Sequence, residues 1–228
     1  MDFIFMLTRQ DRTITDCLQL FELIRPLRLR HVGFKDIGVD ERTLDTLSKA
    51  IRGSGALTYM EVVSTTPEAC LNSARIAANL GIDRLLGGTD VAGVLDAVRG
   101  TATSYYPFPG RPHGHPTKLG GNAEEVEAQC RRFMDQGCAG ADLLAYRATE
   151  ADPLELVRAA RRGLGDSYLI VAGSVASAGQ IADLARSGAN AFTIGSAVFD
   201  GSYAPTKGSI LSQLSAVQND CDSAASAA

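Results

Sequence analysis

Two short segments of this chain join an apolar run directly to Gly-Ser: IVAGSV (Ile170 to Val175) and FTIGSAVFDG (Phe192 to Gly201). A phosphate group needs several backbone N–H donors converging from neighbouring loops, and glycine lets the main chain approach without a Cβ in the way. Gly173, Ser174, Gly195 and Ser196 are therefore the candidate phosphate contacts, with the serine hydroxyls as extra donors and no Lys or Arg required. AVFDG, after Gly195-Ser196, has the make-up of one short helix whose start would face the same anion. A tight turn alone would also use Gly-Ser; it is the pair of such junctions that points to an anion site.

A second chemistry is suggested by HVGFKD (His31 to Asp36) and YMEVVS (Tyr59 to Ser64). Neighbours in a strand point to opposite faces. Lys35 shares parity with Gly33, and Glu61 with Tyr59, while Met60 and Val62 suit a helix-covered face. Lys35 and Glu61 at adjacent strand ends would form an ion pair, because a buried carboxylate is expensive unless paired. Such a pair can move protons near neutral pH. A partly desolvated Lys35 can instead attack a carbonyl and form a Schiff base. A purely structural ion pair would look the same at this level.

Other chemistry-bearing residues follow other apolar runs: Arg9 and Asp11 the first, Asp90 the fourth, Tyr146 and Arg147 the sixth. Arg9, Tyr146 and Arg147 are candidate contacts for a carboxylate or another polar end of a substrate, whereas Asp90 fits a helix cap. The longest connection, PFPGRPHGHPTKLGG, carries Arg111, His113, His115 and Lys118. Long loops in compact domains often cover active sites, which makes His113 a candidate titratable acid-base group. His113-x-His115 without a third nearby ligand is weak ground for a metal, and none is expected.

The elements that would position these groups alternate with regularity. Eight strand-length apolar runs begin at Phe3, His31, Thr58, Arg84, Ser104, Asp142, Tyr168 and Ala191. Between them, apolar residues recur at helical spacing, as in Leu44, Leu47 and Ile51. Thr66-Pro67 and Asp152-Pro153 read as helix starts, Asn122 with Glu125 as a capping box, and Gly81, Gly137 and Gly188 as helix stops. Eight units in 228 residues take about 28 residues each, close to one βα step. Strict alternation implies a parallel sheet covered by helices. Eight repeats favour an α/β fold of the (β/α)8 TIM-barrel type over an open doubly wound sheet, with the phosphate site after strands 7 and 8. Residues 1–218 are expected to form this single domain, and 219–228 (NDCDSAASAA) a flexible tail with Cys221 as a passenger.

Composition removes several classes. A net charge of −4 with no basic run argues against nucleic acid as a partner. FIFML (Phe3 to Leu7) lacks a basic leader and is too short to span a bilayer, so a cytoplasmic protein without membrane contact is expected. Five cysteines with no CxxC pair indicate neither disulfides nor zinc, and no cofactor is implied. The low charge of the Ala-rich helix from Glu68 to Leu80 is compatible with a homodimer.

The stretch from Tyr168 to Gly201, including SVASAGQIADLARSGANAFTIGSAVF, resembles the C-terminal quarter of the ribulose-phosphate-binding barrels. That superfamily contains thiamine phosphate synthase, the histidine and tryptophan biosynthetic isomerases, N-acetylmannosamine-6-phosphate epimerase and 3-keto-gulonate-6-phosphate decarboxylase. The resemblance puts the phosphate on Gly173, Ser174, Gly195 and Ser196. Gly33-x-Lys35-Asp36 also resembles the lysine-bearing strand of the mannosamine-phosphate epimerases, and a lysine at this strand end is similar to that of the furan-phosphate synthases. The chain lacks the Asp-x-Lys-x-x-Asp motif of the decarboxylase branch and, at matching positions, the paired aspartates of the histidine-pathway isomerases. The expected ligand is a small phosphorylated metabolite. The expected activity is isomerase or epimerase chemistry, with Lys35, Glu61 and His113 as catalytic groups. Aldolase, lyase or synthase chemistry through a Lys35 imine, and a non-catalytic binding or assembly protein on the same barrel, remain the alternatives.

Overall fold

The computed structural model describes residues 1–63 and 66–226, with side chains through Ala224. Each apolar run forms a strand: β1 Asp2–Met6, β2 His31–Lys35, β3 Leu57–Val62, β4 Arg84–Gly87, β5 Ser104–Tyr106, β6 Gly140–Leu143, β7 Tyr168–Val171 and β8 Ala191–Ile194. Ser64, which closes the third run, lies outside the described residues. The strands pair in parallel in the order β6-β7-β8-β1-β2-β3-β4-β5. The Ala139 N–H donates to the Tyr105 carbonyl at 3.0 Å and the Asp142 N–H to the Pro107 carbonyl at 3.0 Å, which joins β6 to β5. The result is a (β/α)8 barrel, and the open sheet is excluded.

The strands read as nearly continuous apolar runs because both of their faces are covered. Alternate residues separate two packed regions. Ile4, Met6, Tyr59, Leu86, Tyr106, Ile170 and Ala191 fill the barrel. Phe5, Val32, Phe34, Met60, Leu85, Leu169 and Phe192 face outward and pack under the helices. At the N-terminal end of the barrel the Arg84 guanidinium lies over the rings of Tyr168, Tyr59 and Tyr106, at 4.4, 5.4 and 5.6 Å from their centroids. That plug leaves the C-terminal ends of the strands as the open face.

The helices are α1 Cys17–Ile24, α2 Glu41–Gly53, α3 Pro67–Leu80, α4 Val91–Ala97, α5 Ala123–Gln136, α6 Pro153–Leu164, α7 Ala178–Arg186, α8 Ser196–Phe199 and α9 Ile210–Ser226. Their ends follow the capping chemistry of the sequence. Asp152 accepts from the N–H groups of Leu154 and Glu155, and Asn122 and Glu125 form a reciprocal capping box. Gly81 and Gly137 end α3 and α5 with φ of +62° and +90°. Asp90 accepts from the Gly93 N–H at the start of α4.

One expectation is corrected. The segment read as a tail from residue 219 is helical through Ser226, because α9 buries Leu214, Val217, Cys221 and Ala224 along one face. Spacings of three and four residues generate that stripe, and the small Ala and Ser residues that suggested a tail are good or tolerable helix formers. Residues 227–228 lie outside the described part.

Two glycines test the packing with opposite signs. A Cβ on Gly163 of α6 would meet the Glu127 carbonyl oxygen and, at 2.6 Å, the Cys130 Cβ of α5. Gly163→Ala should therefore cost about 1–3 kcal/mol by overpacking. Gly179, exposed in α7, has its nearest such neighbour at 3.9 Å. Gly179→Ala should gain up to about 1 kcal/mol from helix propensity. Urea unfolding midpoints should move in opposite directions for the two variants.

Candidate active site

The site begins with a turn. After β1, Thr8–Arg9 and Arg12–Thr13 pair antiparallel, which leaves Gln10 and Asp11 as the two residues of the loop. Both have left-handed backbones, with φ of +48° and +55°. That is the geometry of a type I′ hairpin, in which Asp is well tolerated. Thr13 fastens this hairpin to β2: its hydroxyl donates to the Lys35 carbonyl at 2.8 Å and stands 2.8 Å from the Lys35 N–H. Asp11 is thereby folded back over the mouth of the barrel.

Lys35 and Glu61 occupy facing register positions on β2 and β3 and both point inward. Lys35 Nζ donates to Glu61 Oε1 at 2.9 Å and to Asp11 Oδ1 at 2.9 Å. The lysine side chain is only 6% exposed, and its two partners 5% and 8%. Burial disfavours the ammonium, but the charges of Glu61 and Asp11 outweigh it and raise the lysine pKa above its ordinary value. Asp36, the next residue, points the other way. It accepts from the Val63 N–H at 3.1 Å and the Ser73 hydroxyl at 2.6 Å, tying the end of β3 to α3.

Arg147, at the end of a short 3-10 turn after β6, approaches Asp11 from the opposite side. Its Nη1 and Nη2 donate to the two Asp11 oxygens at 3.1 and 3.2 Å, and Nη1 also donates to the Thr117 carbonyl at 3.2 Å. Burial works to raise the Asp11 pKa, but the hydrogen bond from Arg147 and the charge of Lys35 hold its carboxyl well below the usual carboxylate range. Arg147 also lies against Gly173. A Cβ there would meet the guanidinium Nε and, at 2.8 Å, the Cδ, and Gly173 has φ of +77°. Ser174 follows with φ of +62°, an uncommon conformation for a residue with a side chain.

These groups line one cavity of about 270 Å³, with Asp11, Lys35, Glu61 and Arg147 on one side and Gly173, Ser174, Gly195 and Ser196 on the other. Met6, Leu144, Val175 and Ile194 supply apolar wall, and Thr8 and Thr193 hydroxyl groups. Gly195 sits where a Cβ would come within 3.0 Å of the Met6 carbonyl and 3.1 Å of the Thr8 hydroxyl. Among the described residues, the N–H groups of Ser174, Val175, Ser196 and Ala197 find no backbone acceptor. They are available to a bound anion.

Beneath this cavity lies Asp142, the third residue of β6, in register with inward-facing Ile170. It is 0% exposed, and neither carboxyl oxygen has a hydrogen-bond partner. Burial and then the charge of Glu61 push its carboxyl well above the usual carboxylate range, against the pull of Lys35 and Arg147.

The cavity thus gathers Lys35, Glu61, Arg147, Gly173, Ser174, Gly195 and Ser196, and leaves out three other candidates. His113 lies exposed in a hairpin of Arg111–His113 with Lys118–Gly120, its Nδ1 3.0 Å from the Arg111 carbonyl. Arg9 donates to the Phe199 carbonyl at 2.8 Å and stacks on the Phe199 ring, so it braces α8. Tyr146 packs against the core outside the cavity, with its hydroxyl buried. Sequence reasoning gave Asp11 too little weight, since its only signal is an Asp at a turn, and read Asp142 as the start of a strand. Parity with Gly140 would have turned Asp142 inward. Among the described residues no group of three or more His, Cys, Asp or Glu is arranged to hold a metal ion.

Asp142 gives a pH prediction. At a pH below the unfolded carboxyl pKa of about 3.9, both states are protonated and its burial carries no ionisation penalty. As pH rises toward the elevated folded value, the unfolded chain releases a proton that the folded one keeps. Stability then falls by about 1.4 kcal/mol per pH unit. D142N cannot ionise, so its stability relative to the parent should improve progressively as pH rises from 4. Denaturant unfolding at several pH values measures this, and a pH-independent difference would mean that Asp142 is ionised in the fold.

No protein-family model and no curated protein sequence matches the chain. Solved structures do. Orotidine 5'-phosphate decarboxylase from Pyrococcus horikoshii aligns with a TM-score of 0.65 at 11% identity, covering 96% of this chain and 99% of its own. A native KDPGal structure aligns at 0.67 and 14%, covering 99% and 97%. Thiamine phosphate pyrophosphorylase from Pyrococcus furiosus aligns at 0.61 and 10%, covering 97% and 95%. The chain shares its barrel fold with these structures, and the resemblance drawn from Tyr168 to Gly201 is borne out at the level of the fold.

Proposed function

We propose that this protein is an enzyme that moves a proton next to the carbonyl of a small phosphorylated sugar or keto compound, in the manner of an isomerase or epimerase. One observation carries the reading: the Lys35–Glu61 pair, at 2.9 Å, lines the same small cavity as the Gly173-Ser174 and Gly195-Ser196 loops. The phosphate would take the free N–H groups of those loops and the two serine hydroxyls. Two of the similar structures carry a phosphorylated compound in their names, orotidine 5'-phosphate and thiamine phosphate, in line with this.

With the phosphate anchored, the carbonyl end of the ligand reaches Lys35. Its ammonium donates to the carbonyl oxygen and stabilises the negative charge that develops when the adjacent carbon loses its proton. Glu61 is the base that takes this proton and returns it to the same or the neighbouring carbon. Arg147 binds a further polar group of the ligand, and Asp11 holds both cations in place. His113, Arg9 and Tyr146 take no step, because they stand outside the cavity. An imine on Lys35 would need the free amine, which two carboxylates at 2.9 Å disfavour.

The test is a panel of phosphosugars in D2O, with deuterium uptake next to the carbonyl followed by NMR. K35A and E61A should each lower turnover about 10²–10⁴-fold while a phosphate-ester competitor still binds. Gly173→Val should abolish binding, because it meets both a forbidden φ and Arg147. Full activity in K35A would overturn the role given to Lys35, binding of phosphosugars without any turnover would leave a binding protein, and borohydride trapping of substrate on Lys35 would replace proton transfer by imine chemistry.

A further inference from the structure

The strand order holds the two ends of the proposed reaction apart. The candidate phosphate loops follow β7 and β8, Lys35 and Glu61 stand on β2 and β3, and β1 lies between the two pairs. A ligand that reaches from one pair to the other crosses the end of β1, and Thr8 is the residue it meets there. Along β1, Ile4 and Met6 point into the barrel and Phe5 and Leu7 out of it, so period two turns Thr8 inward. Met6 pairs with Gly33, and the Leu7 N–H donates to the Gly33 carbonyl at 2.8 Å, which carries the pairing onward and brings Thr8 to the level of Lys35. On its other side the Thr8 hydroxyl is 3.1 Å from the place a Cβ on Gly195 would take.

Neighbouring threonines are already committed. Thr13 holds the main chain of Lys35, and the Thr193 hydroxyl accepts from the Gly173 N–H at 3.4 Å. Thr8 is only 7% exposed and lines the cavity, yet among the described residues its hydroxyl makes no hydrogen bond. A ligand that excludes water from the cavity must supply the missing partner itself, because a buried hydroxyl left unpaired carries its full desolvation penalty. The apolar wall of Met6, Leu144, Val175 and Ile194 offers no substitute. We infer that Thr8 is a specificity residue that hydrogen-bonds a hydroxyl group on the carbon chain between the carbonyl and the phosphate of the ligand. The substrate class is then a polyhydroxy phosphate ester, and deoxy analogues are rejected because they bury Thr8 unpaired. A hydroxyl suits this position because it donates and accepts, as Thr8 does. This assignment takes the placement of the two ligand ends from the phosphosugar reading.

Calorimetric titration of the full chain with inorganic phosphate, pentyl phosphate and ribitol 5-phosphate tests this without turnover. The two esters share a chain length and differ in their hydroxyl groups. In T8V, which keeps the side-chain shape without the hydroxyl, the affinity for ribitol 5-phosphate relative to pentyl phosphate should fall about tenfold. Inorganic phosphate should bind T8V as it binds the parent, and T8S should restore the parent ratio. A structural role alone would move all three probes together or none. An unchanged ester ratio in T8V overturns the inference, and so does an equal loss for inorganic phosphate, which would make Thr8 part of the phosphate site. Either result leaves the phosphosugar reading standing, whereas a parent that binds neither ester brings down both. Should T8V fail to fold, T8A takes its place with the same expectations.

Discussion

An ammonium group placed inside a barrel has to be neutralised within hydrogen-bonding distance, and the open face of this protein is organised around that demand. Lys35 reaches inward from β2 because its parity is that of Gly33. Its charge then requires an acid from the neighbouring strand, which Glu61 supplies, and a second from above, which only a chain segment folded back over the mouth can supply. The two-residue hairpin after β1 is that segment, and its left-handed Gln10 and Asp11 are the conformational cost of aiming a carboxylate downward. Arg147 then shares Asp11 and so links the first hairpin to the loops after β5, β6 and β7. Removing Lys35 would leave Asp11 to Arg147 and Glu61 buried without a counter-charge, which is the expensive half of a buried ion pair.

On the proposed function, charge balance accounts for the make-up of the end of the cavity that would take the phosphate. Lys35 and Arg147 are matched by Asp11 and Glu61, and the exposed Asp200, which also lines the cavity, adds a third acid. No cation of the cavity is left over for an anion. On that reading, recognition by the N–H groups of Ser174, Val175, Ser196 and Ala197 complements the ion cluster. Neutral donors bind a dianion without competing for the lysine, and the glycines before them keep the space that the anion needs.

Much of this was legible in the residues. Parity arguments turned Lys35 and Glu61 inward and Met60 and Val62 outward, because period two along a strand is a covalent fact. Capping chemistry located the starts of α5 and α6 for similar reasons: Asn122, Glu125 and Asp152 satisfy main-chain groups within three residues of themselves. What escaped depends on contacts distant in sequence. The value of Asp11 comes from Arg147, 136 residues away. The exclusion of His113 follows from the pairing of Arg111–His113 with Lys118–Gly120, which no periodicity announces in a Pro- and Gly-rich loop. The end of α9 was obscured because Ala and Ser suit a tail as well as a helix until their neighbours are known.

The same distinction bears on how function is divided in the barrel. Groups whose position is set by strand parity, Lys35 and Glu61, hold a fixed geometry, since moving them means moving the sheet. Groups set by loops, Asp11 and Arg147, are held by each other and by single hydrogen bonds. A ligand that competes for Arg147 therefore loosens Asp11 while β2 and β3 stay still. Lys35 would then lose one of its two acids while remaining beside Glu61. On the proposed function, the strand-borne pair does the bond-making at a defined distance, and the loop-borne pair responds to the arrival of a ligand.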